Sequence, residues 1–258
     1  MFAWRDPSLS PHGLTRRRFG ALAASAATLG VAGCGGESVT MRFRPIVTLT
    51  ADGRDYVGSS VLELTINVLK GSLVGNGASS SLHGEALFVD LPQRPTVFVL
   101  PGRFGQGSVV EYWEHMLVTS FGVDRGIGSL RPQDREKLRA ARGRTPLMPT
   151  TIRRNFPYPI FCAFGDPRDP KSLIELDPKN LRAKLPGVTM KSFDVEITDA
   201  PITKGEIAKR LPWVASRTVV HVGERPKNPG GVQYNRAEDI PLEHSLLNIH
   251  FFARETRR

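Results

Sequence analysis

Phe43-Arg44-Pro45-Ile46-Val47-Thr48-Leu49-Thr50, then Ala51-Asp52-Gly53-Arg54, then Tyr56 through Val68, is the stretch whose reading decides the fold. Apolar and polar side chains alternate on both sides of an Asp-Gly pair. A period of two sends successive side chains to opposite faces of a strand. Asp-Gly between two such runs is a favoured hairpin centre, because both turn positions need positive φ. The stretch predicts an antiparallel hairpin with one face turned to a core. Two further strands are predicted downstream at Glu85 to Leu91 and Thr96 to Leu100, with Pro92-Gln93-Arg94-Pro95 forcing the turn between them. Asn76 to Ser81 is made of small and polar residues and reads as a flexible loop.

The middle of the chain changes period. Val109, Tyr112, Trp113, Met116, Leu117 and Phe121 recur at helical spacing, with Glu111, Glu114 and His115 off that face, and Ser108 with Glu111 makes a capping box. A second helix is predicted from Pro132 to Arg142, with Pro at its first turn, Asp134 and Glu136 near its positive end and Gly143 as the stop. Its apolar residues are Leu138, Ala140 and Ala141, so it belongs on the surface. A buried strand follows at Ile160 to Phe164, then a short helix from Asp177-Pro178 to near Gly187. Val188 to Thr198 reads as a strand with Phe193, Val195 and Ile197 on one face and Asp194 and Glu196 on the other. Thr203 and Glu206 form another capping box, and the last strands are expected near Thr218 to Val222 and Leu246 to Phe252. Strands outnumber helices without alternating regularly with them. The expected class is α+β, with a largely antiparallel sheet and two to four short helices.

The amino-terminal residues carry a different kind of information. Leu14-Thr15-Arg16-Arg17-Arg18-Phe19 precedes a run from Gly20 to Gly33 that holds six Ala and three Gly, and Val31-Ala32-Gly33-Cys34 closes it. That run is too short and too weakly apolar to span a bilayer. The segment resembles the signals of bacterial lipoproteins exported by the twin-arginine translocon, with Arg16, Arg17 and Phe19 at the signal positions and Cys34 at the lipidated one. The resemblance implies cleavage after Gly33 and lipidation of Cys34. The low-complexity stretch Gly33 to Ser38 reads as part of a tether over residues 34–41, and the remaining length suits one globular domain over 42–258. The resemblance also implies an export route to the periplasmic side of the envelope. Gly35, in place of Asp, resembles the pattern that in a Gram-negative host sends such proteins to the outer membrane. The competing reading is a cytosolic protein with a chance Arg cluster, or a chain started at Met41.

Charge narrows the partners. The chain has 35 basic and 25 acidic residues; residues 1–33 hold four Arg and one Asp, which leaves 31 and 24 from Cys34 onward, a surplus of seven positive charges. A basic surplus on an exported domain favours anionic lipid or an acidic envelope polymer, and the export signal argues against nucleic acid. The surplus concentrates between Arg125 and Arg154, where nine basic residues meet two acidic ones. Arg131, Arg135, Lys137, Arg139, Arg142 and Arg144 are the candidate contacts for an anionic surface, and the plainer reading is a solvated charged face. Of the two cysteines, Cys162 sits in Pro159-Ile160-Phe161-Cys162-Ala163-Phe164 and reads as a small buried hydrophobe.

A second resemblance lies in Phe164-Gly165-Asp166-Pro167-Arg168-Asp169-Pro170-Lys171-Ser172, Asp177-Pro178-Lys179-Asn180-Leu181, Ile207-Ala208-Lys209-Arg210-Leu211-Pro212-Trp213 and the hairpin segment Gly58-Ser59-Ser60-Val61. Together these are similar to an uncharacterised proteobacterial protein family of unknown function. The similarity carries no catalytic residue.

No motif commits the chain to a reaction. Gly102-Arg103-Phe104-Gly105-Gln106-Gly107-Ser108 could hold a phosphate on its amides but lacks the lysine of a P-loop. His221, His244 and His250, with Asp239 or Glu243, could converge on a metal, although no pair has short ligand spacing. There is no Gly-x-Ser-x-Gly elbow, and Ser81 near His83 is not by itself a triad. Asp166, Asp169, Glu175 and Asp177 lack calcium-loop spacing and read as turn formers. The sequence assigns no catalytic, cofactor or metal residue. The favoured role is non-catalytic binding or structure; the alternatives are an exported hydrolase with an unrecognised Ser/His or carboxylate site, and a metal- or small-ligand-binding protein.

Overall fold

The computed structural model describes residues 37–72, 75–101, 109–123, 130–148, 158–216, 222–223 and 251–257. All of them fall in the unit Cys34–Arg258. In chain order the elements are β1 (Glu37–Ala51), β2 (Arg54–Ser59), β3 (Leu62–Ser72), β4 (Gly75–Glu85), β5 (Leu87–Val89), β6 (Val97–Val99), α1 (Val109–Ser120), α2 (Pro132–Ala140), β7 (Gly143–Pro146), β8 (Phe161–Phe164), β9 (Leu173–Leu176), β10 (Val188–Ile197), α3 (Glu206–Arg210) and β11 (Phe252–Arg257). The strands form two antiparallel sheets. One runs β11-β4-β3-β1-β10-β7, with β2 also on β1; the other runs β5-β6-β8-β9. The expected class fits only roughly, since the antiparallel sheets are there and the described helices are few.

The hairpin forms where the Asp-Gly pair places it. Asp52 and Gly53 have φ of 50° and 75°, the signs of a type I′ turn, whose twist matches that of the strands it joins. The returning arm, expected as one strand from Tyr56 to Val68, is divided into β2 and β3. Both arms keep a single register on β1, with Ile46 opposite Ser59 and Phe43 opposite Leu62. Ser60 and Val61 drop out because they bond elsewhere. The Ser60 hydroxyl donates to the Glu85 carbonyl at 2.8 Å, and the Val61 N–H donates to Thr203 Oγ1 at 2.8 Å. On the other edge of β1, Thr48 faces Ser192 and Leu49 faces Met190, so Lys191 is the extra residue of a β-bulge.

The strand period sorts the core. Leu87, Val89, Val97, Val99, Phe161 and Ala163 of the small sheet share one cluster with Phe43, Val47, Leu49, Leu64 and Phe193 of the large sheet and with Trp113, Met116 and Leu117 of α1. Ala86, Phe98, Leu100, Cys162 and Phe164 point the other way and meet Ile207, Leu211 and Val214. Burial on both faces explains why the sequence around Cys162 is an unbroken apolar run. On the outer face of the large sheet, directly opposed residues bond across the strands: Arg42 with Glu63 at 2.8 Å, Arg44 with Glu196 at 2.7 Å, and Thr40 with Thr65 at 3.0 Å.

Several expectations need correction. Asn76 to Ser81 is not a loop; it lies inside β4, where pairing with β3 from Gly77 onward, joined by β11 at Ser80 and Ser81, overrides the weak strand propensity of its Gly and Ser residues. The tether over 34–41 is too long, because β1 starts at Glu37 and Val39 and Met41 are core residues. The expected helix from Asp177 to Gly187 shrinks to one 3-10 turn, Leu181–Ala183, since the Asp177 carboxylate accepts from the Lys179 N–H at 2.8 Å and closes a local turn instead. Thr203 does not cap the helix near Glu206. Gly205, at φ 80°, occupies the cap, and the Thr203 hydroxyl is taken by Val61. α1 spans the predicted residues but is buried on a wider arc than expected, one that includes Glu114. Ser108 of its capping box, residues 218–221 and residues 246–250 of the last expected strands lie outside the described residues.

Candidate functional site

α2 lies beside the first half of β1 and carries most of the cations the sequence singles out. Its start is fixed by a side chain from its own first turn: Asp134 Oδ2 accepts from the Arg131 N–H at 3.0 Å and from Arg131 Nε at 3.0 Å. A carboxylate here also suits the positive end of the helix dipole. The Asp134 carboxylate holds the Arg131 guanidinium above its ordinary pKa. Leu138 anchors the helix to the core.

The six candidate residues do not form one uniform face. Arg135 is buried at 4 % exposure and donates to the Leu130 carbonyl at 2.9 Å, so it is a helix anchor and not a surface contact. Its place three residues before Leu138 puts both on the core side. Arg131, Lys137, Arg139, Arg142 and Arg144 are exposed. Arg131, Arg139 and Arg144 pair with carboxylates, of Asp134, Glu136 and Asp194 respectively. Lys137 Nζ donates instead to the Gly122 carbonyl at 2.8 Å, and Arg142 Nη1 to the Arg139 and Ala141 carbonyls at 2.8 and 2.6 Å. A carbonyl orders a cation without neutralising it. The positive charge of this edge is therefore concentrated at Lys137 and Arg142.

The position of α2 follows from how β1 is paired. β10 joins β1 only from Phe43, opposite Ile197, onward, so on that edge Glu37 to Arg42 extend past β10. The bare backbone is met by other groups: Arg139 Nη2 donates to the Ser38 carbonyl at 3.1 Å, and the Thr198 N–H donates to the Arg42 carbonyl at 3.0 Å. β7, which follows α2, reaches the same end by pairing Gly143 with Ile197. Arg16, Arg17, Phe19 and Cys34 lie outside the described residues.

The other chemistry-bearing residues resolve into structural roles. Ser81 and His83 stand two positions apart on one face of β4, opposite Thr65 and Glu63; that spacing is roughly 7 Å, beyond hydrogen-bond reach. Asp166, Asp169 and Asp177 each accept from the N–H two residues on, at 2.8, 2.9 and 2.8 Å, which is the turn-forming geometry expected of them. Cys162 is fully buried, and desolvation pushes its thiol well above the ordinary range, with the Glu175 charge adding to the shift. Among the described residues, no three His, Cys, Asp or Glu side chains gather as metal ligands, and no helix is long and apolar enough to cross a membrane. The phosphate-type loop 102–108 and His221, Asp239, Glu243, His244 and His250 lie outside the described residues.

Two buried carboxylates have little to announce them in the sequence. Glu114 of α1 accepts from the Ser80 hydroxyl at 2.7 Å, with both residues at 3 % exposure or less. Glu85, at 2 % exposure, accepts from the Ile207 N–H at 3.0 Å and the Glu206 N–H at 3.4 Å, so a residue 121 positions away supplies the cap of α3. The one local signal is that Glu114 follows Trp113 and precedes Met116 and Leu117 in α1; nothing local marks Glu85. Both pairs tie the large sheet to a helix. Comparison of the chain with protein families, with curated proteins and with solved structures finds no match.

Proposed function

We propose that this protein is an exported, lipid-anchored envelope protein of the twin-arginine route, attached through Cys34, with a non-catalytic binding or structural role. The observation that carries the reading is the order of features in the first 34 residues: Thr15-Arg16-Arg17-Arg18-Phe19, a short small-residue run, then Val31-Ala32-Gly33-Cys34. Two properties of the domain support it. β1 opens three residues after Cys34, so a core strand follows the anchor closely in sequence. Buried Glu114 bonds Ser80, buried Glu85 caps α3, and Asp166 closes a turn, so these carboxylates have structural partners. In this reading the domain is of the α+β class, and in a Gram-negative host the outer membrane is its destination.

The test is fractionation with mass analysis of the amino-terminal peptide. The mature peptide is expected to begin at Cys34 and to carry acyl chains; Arg16→Lys with Arg17→Lys blocks export, and Cys34→Ala releases exported protein into the soluble fraction. Unchanged attachment of the Cys34→Ala protein to membranes washed at high salt overturns the reading.

A further inference from the structure

We infer that the α2 end of the large sheet is the face of the domain that lies on the membrane, and that Lys137 and Arg142 contact anionic phospholipid headgroups there. The inference rests on the lipid-anchor reading and adds an orientation and a second contact to it. Its first support is distance along the chain. Arg139 is bonded to the Ser38 carbonyl at 3.1 Å, and Ser38 is four residues from Cys34. Four residues span at most about 14 Å, so an acylated Cys34 holds the Ser38 carbonyl, and with it the bonded Arg139 guanidinium of α2, on the bilayer side of the domain.

Charge is the second support. Residues 131–144 hold six basic and two acidic side chains, and Lys137 and Arg142 are exposed with carbonyl partners, so their charges remain available to an anion. The electrostatic attraction of a bilayer for a cation fades over a Debye length of about 8 Å at physiological salt. Cations on the anchor side therefore feel the membrane far more strongly than cations at the opposite end of the sheet. The hairpin tip at Asp52 and Gly53 is the far end of β1, about 40 Å from Ser38 by strand rise. Arg54, beside that tip, and Lys184, two residues from the Pro186 carbonyl that Arg94 links to Asp52, are exposed cations at that distant end.

Several acyl chains on Cys34 make the attachment itself stable, and a basic patch adds a second contact that orients the domain on the bilayer. Here the patch is built into the fold and not carried on a tail: Leu138 and Arg135 fix α2 against the core, and Arg139 fixes it to β1.

The test separates this inference from the anchor reading by removing the lipid. Full-length Cys34→Ala protein is mixed with vesicles of phosphatidylcholine containing 30 % phosphatidylglycerol, with pure phosphatidylcholine vesicles as reference, and the bound fraction is measured by sedimentation at low and high salt. Binding that requires phosphatidylglycerol and falls with salt is expected. Replacing Lys137 and Arg142 by Gln lowers the partition coefficient by about 30-fold, at about fivefold per cation. Replacing Arg54 and Lys184 by Gln leaves it unchanged. Equal losses in the two pairs, or no preference for phosphatidylglycerol, overturns the inference even if Cys34 proves to be acylated. Urea unfolding of each variant checks that the fold is intact, and the full effect is expected in variants whose midpoint is unmoved.

Discussion

Gly58→Ala is expected to be among the most damaging single-methyl changes available in the large sheet. Gly58 is buried on β2, opposite Val47, at the point where β2 passes over β5. A Cβ there would lie 1.9 Å from the Phe88 carbonyl oxygen, 2.6 Å from its carbon and 2.7 Å from Val89 Cγ2. The first two obstacles are backbone, which no rotamer change can move, so the two sheets would have to separate locally. Overpacking in a closed core costs about 1–3 kcal/mol, and a backbone obstacle puts this substitution at the upper end, about 3 kcal/mol. In a domain of this size that corresponds to a fall in Tm of about 6–12 °C. Gly53→Ala supplies the comparison. Gly53 has φ 75° and nothing within 4 Å of the position a Cβ would take, so its cost is the left-handed backbone alone, about 1 kcal/mol. The assay is equilibrium urea unfolding followed by tryptophan fluorescence, with Val89→Ala added to Gly58→Ala. Trimming Val89 removes the 2.7 Å contact and leaves the 1.9 Å one, so it does not rescue the protein. A Gly58→Ala loss no greater than that of Gly53→Ala, or full rescue by Val89→Ala, would refute the close approach of β2 and β5.

Three further outcomes follow from the same structure. Glu85→Gln leaves the α3 amides a weaker, neutral acceptor and should cost about 1–2 kcal/mol in urea unfolding, whereas Glu206→Gln, which keeps the capped N–H and alters only a side chain paired with exposed Lys209, should cost little. Asp90 bonds Arg210 at 2.7 Å, which lowers its pKa below the ordinary carboxylate value; its contribution to stability is present above that ordinary value and disappears as pH falls through the lowered one. Carbon-13 NMR titration should place the Asp90 midpoint below 3.8 and return it toward 3.8 in Arg210→Ala. Cys162 should be inert to a water-soluble maleimide in the folded protein and react at once in urea, since burial both shields the thiol and disfavours its thiolate. Rapid native labelling would contradict the packing of the small sheet against α3.

Legibility in the sequence tracks how local the cause is. The Asp52-Gly53 turn, the Ile160 to Phe164 strand, α1, α2 and β10 are all readable because a positive-φ pair, an apolar run or a period announces each of them within its own residues. The division of β2 from β3, the β4 pairing of a Gly/Ser stretch and the cap of α3 are not. Ser60 and Val61 leave the strand because Glu85 and Thr203 hold them, and these partners lie 25 and 142 positions away. The Ser80 and Glu114 pair likewise becomes meaningful only when β4 and α1 are packed together.

The candidate site divides in the same way. Sequence by itself determined the export and lipidation expectation and the excess of cations between Arg125 and Arg154, since both depend on residue order and composition. Only the tertiary structure decided how each cation is partnered: it buried Arg135, paired Arg131, Arg139 and Arg144 with carboxylates, and left Lys137 and Arg142 on carbonyls. It also laid α2 against Ser38, because β10 joins β1 only from Phe43 onward and the exposed edge needed a partner for its carbonyls. Charge is written in the chain, but whether a charge is neutralised inside the fold or offered to a partner depends on neighbours that are distant in sequence.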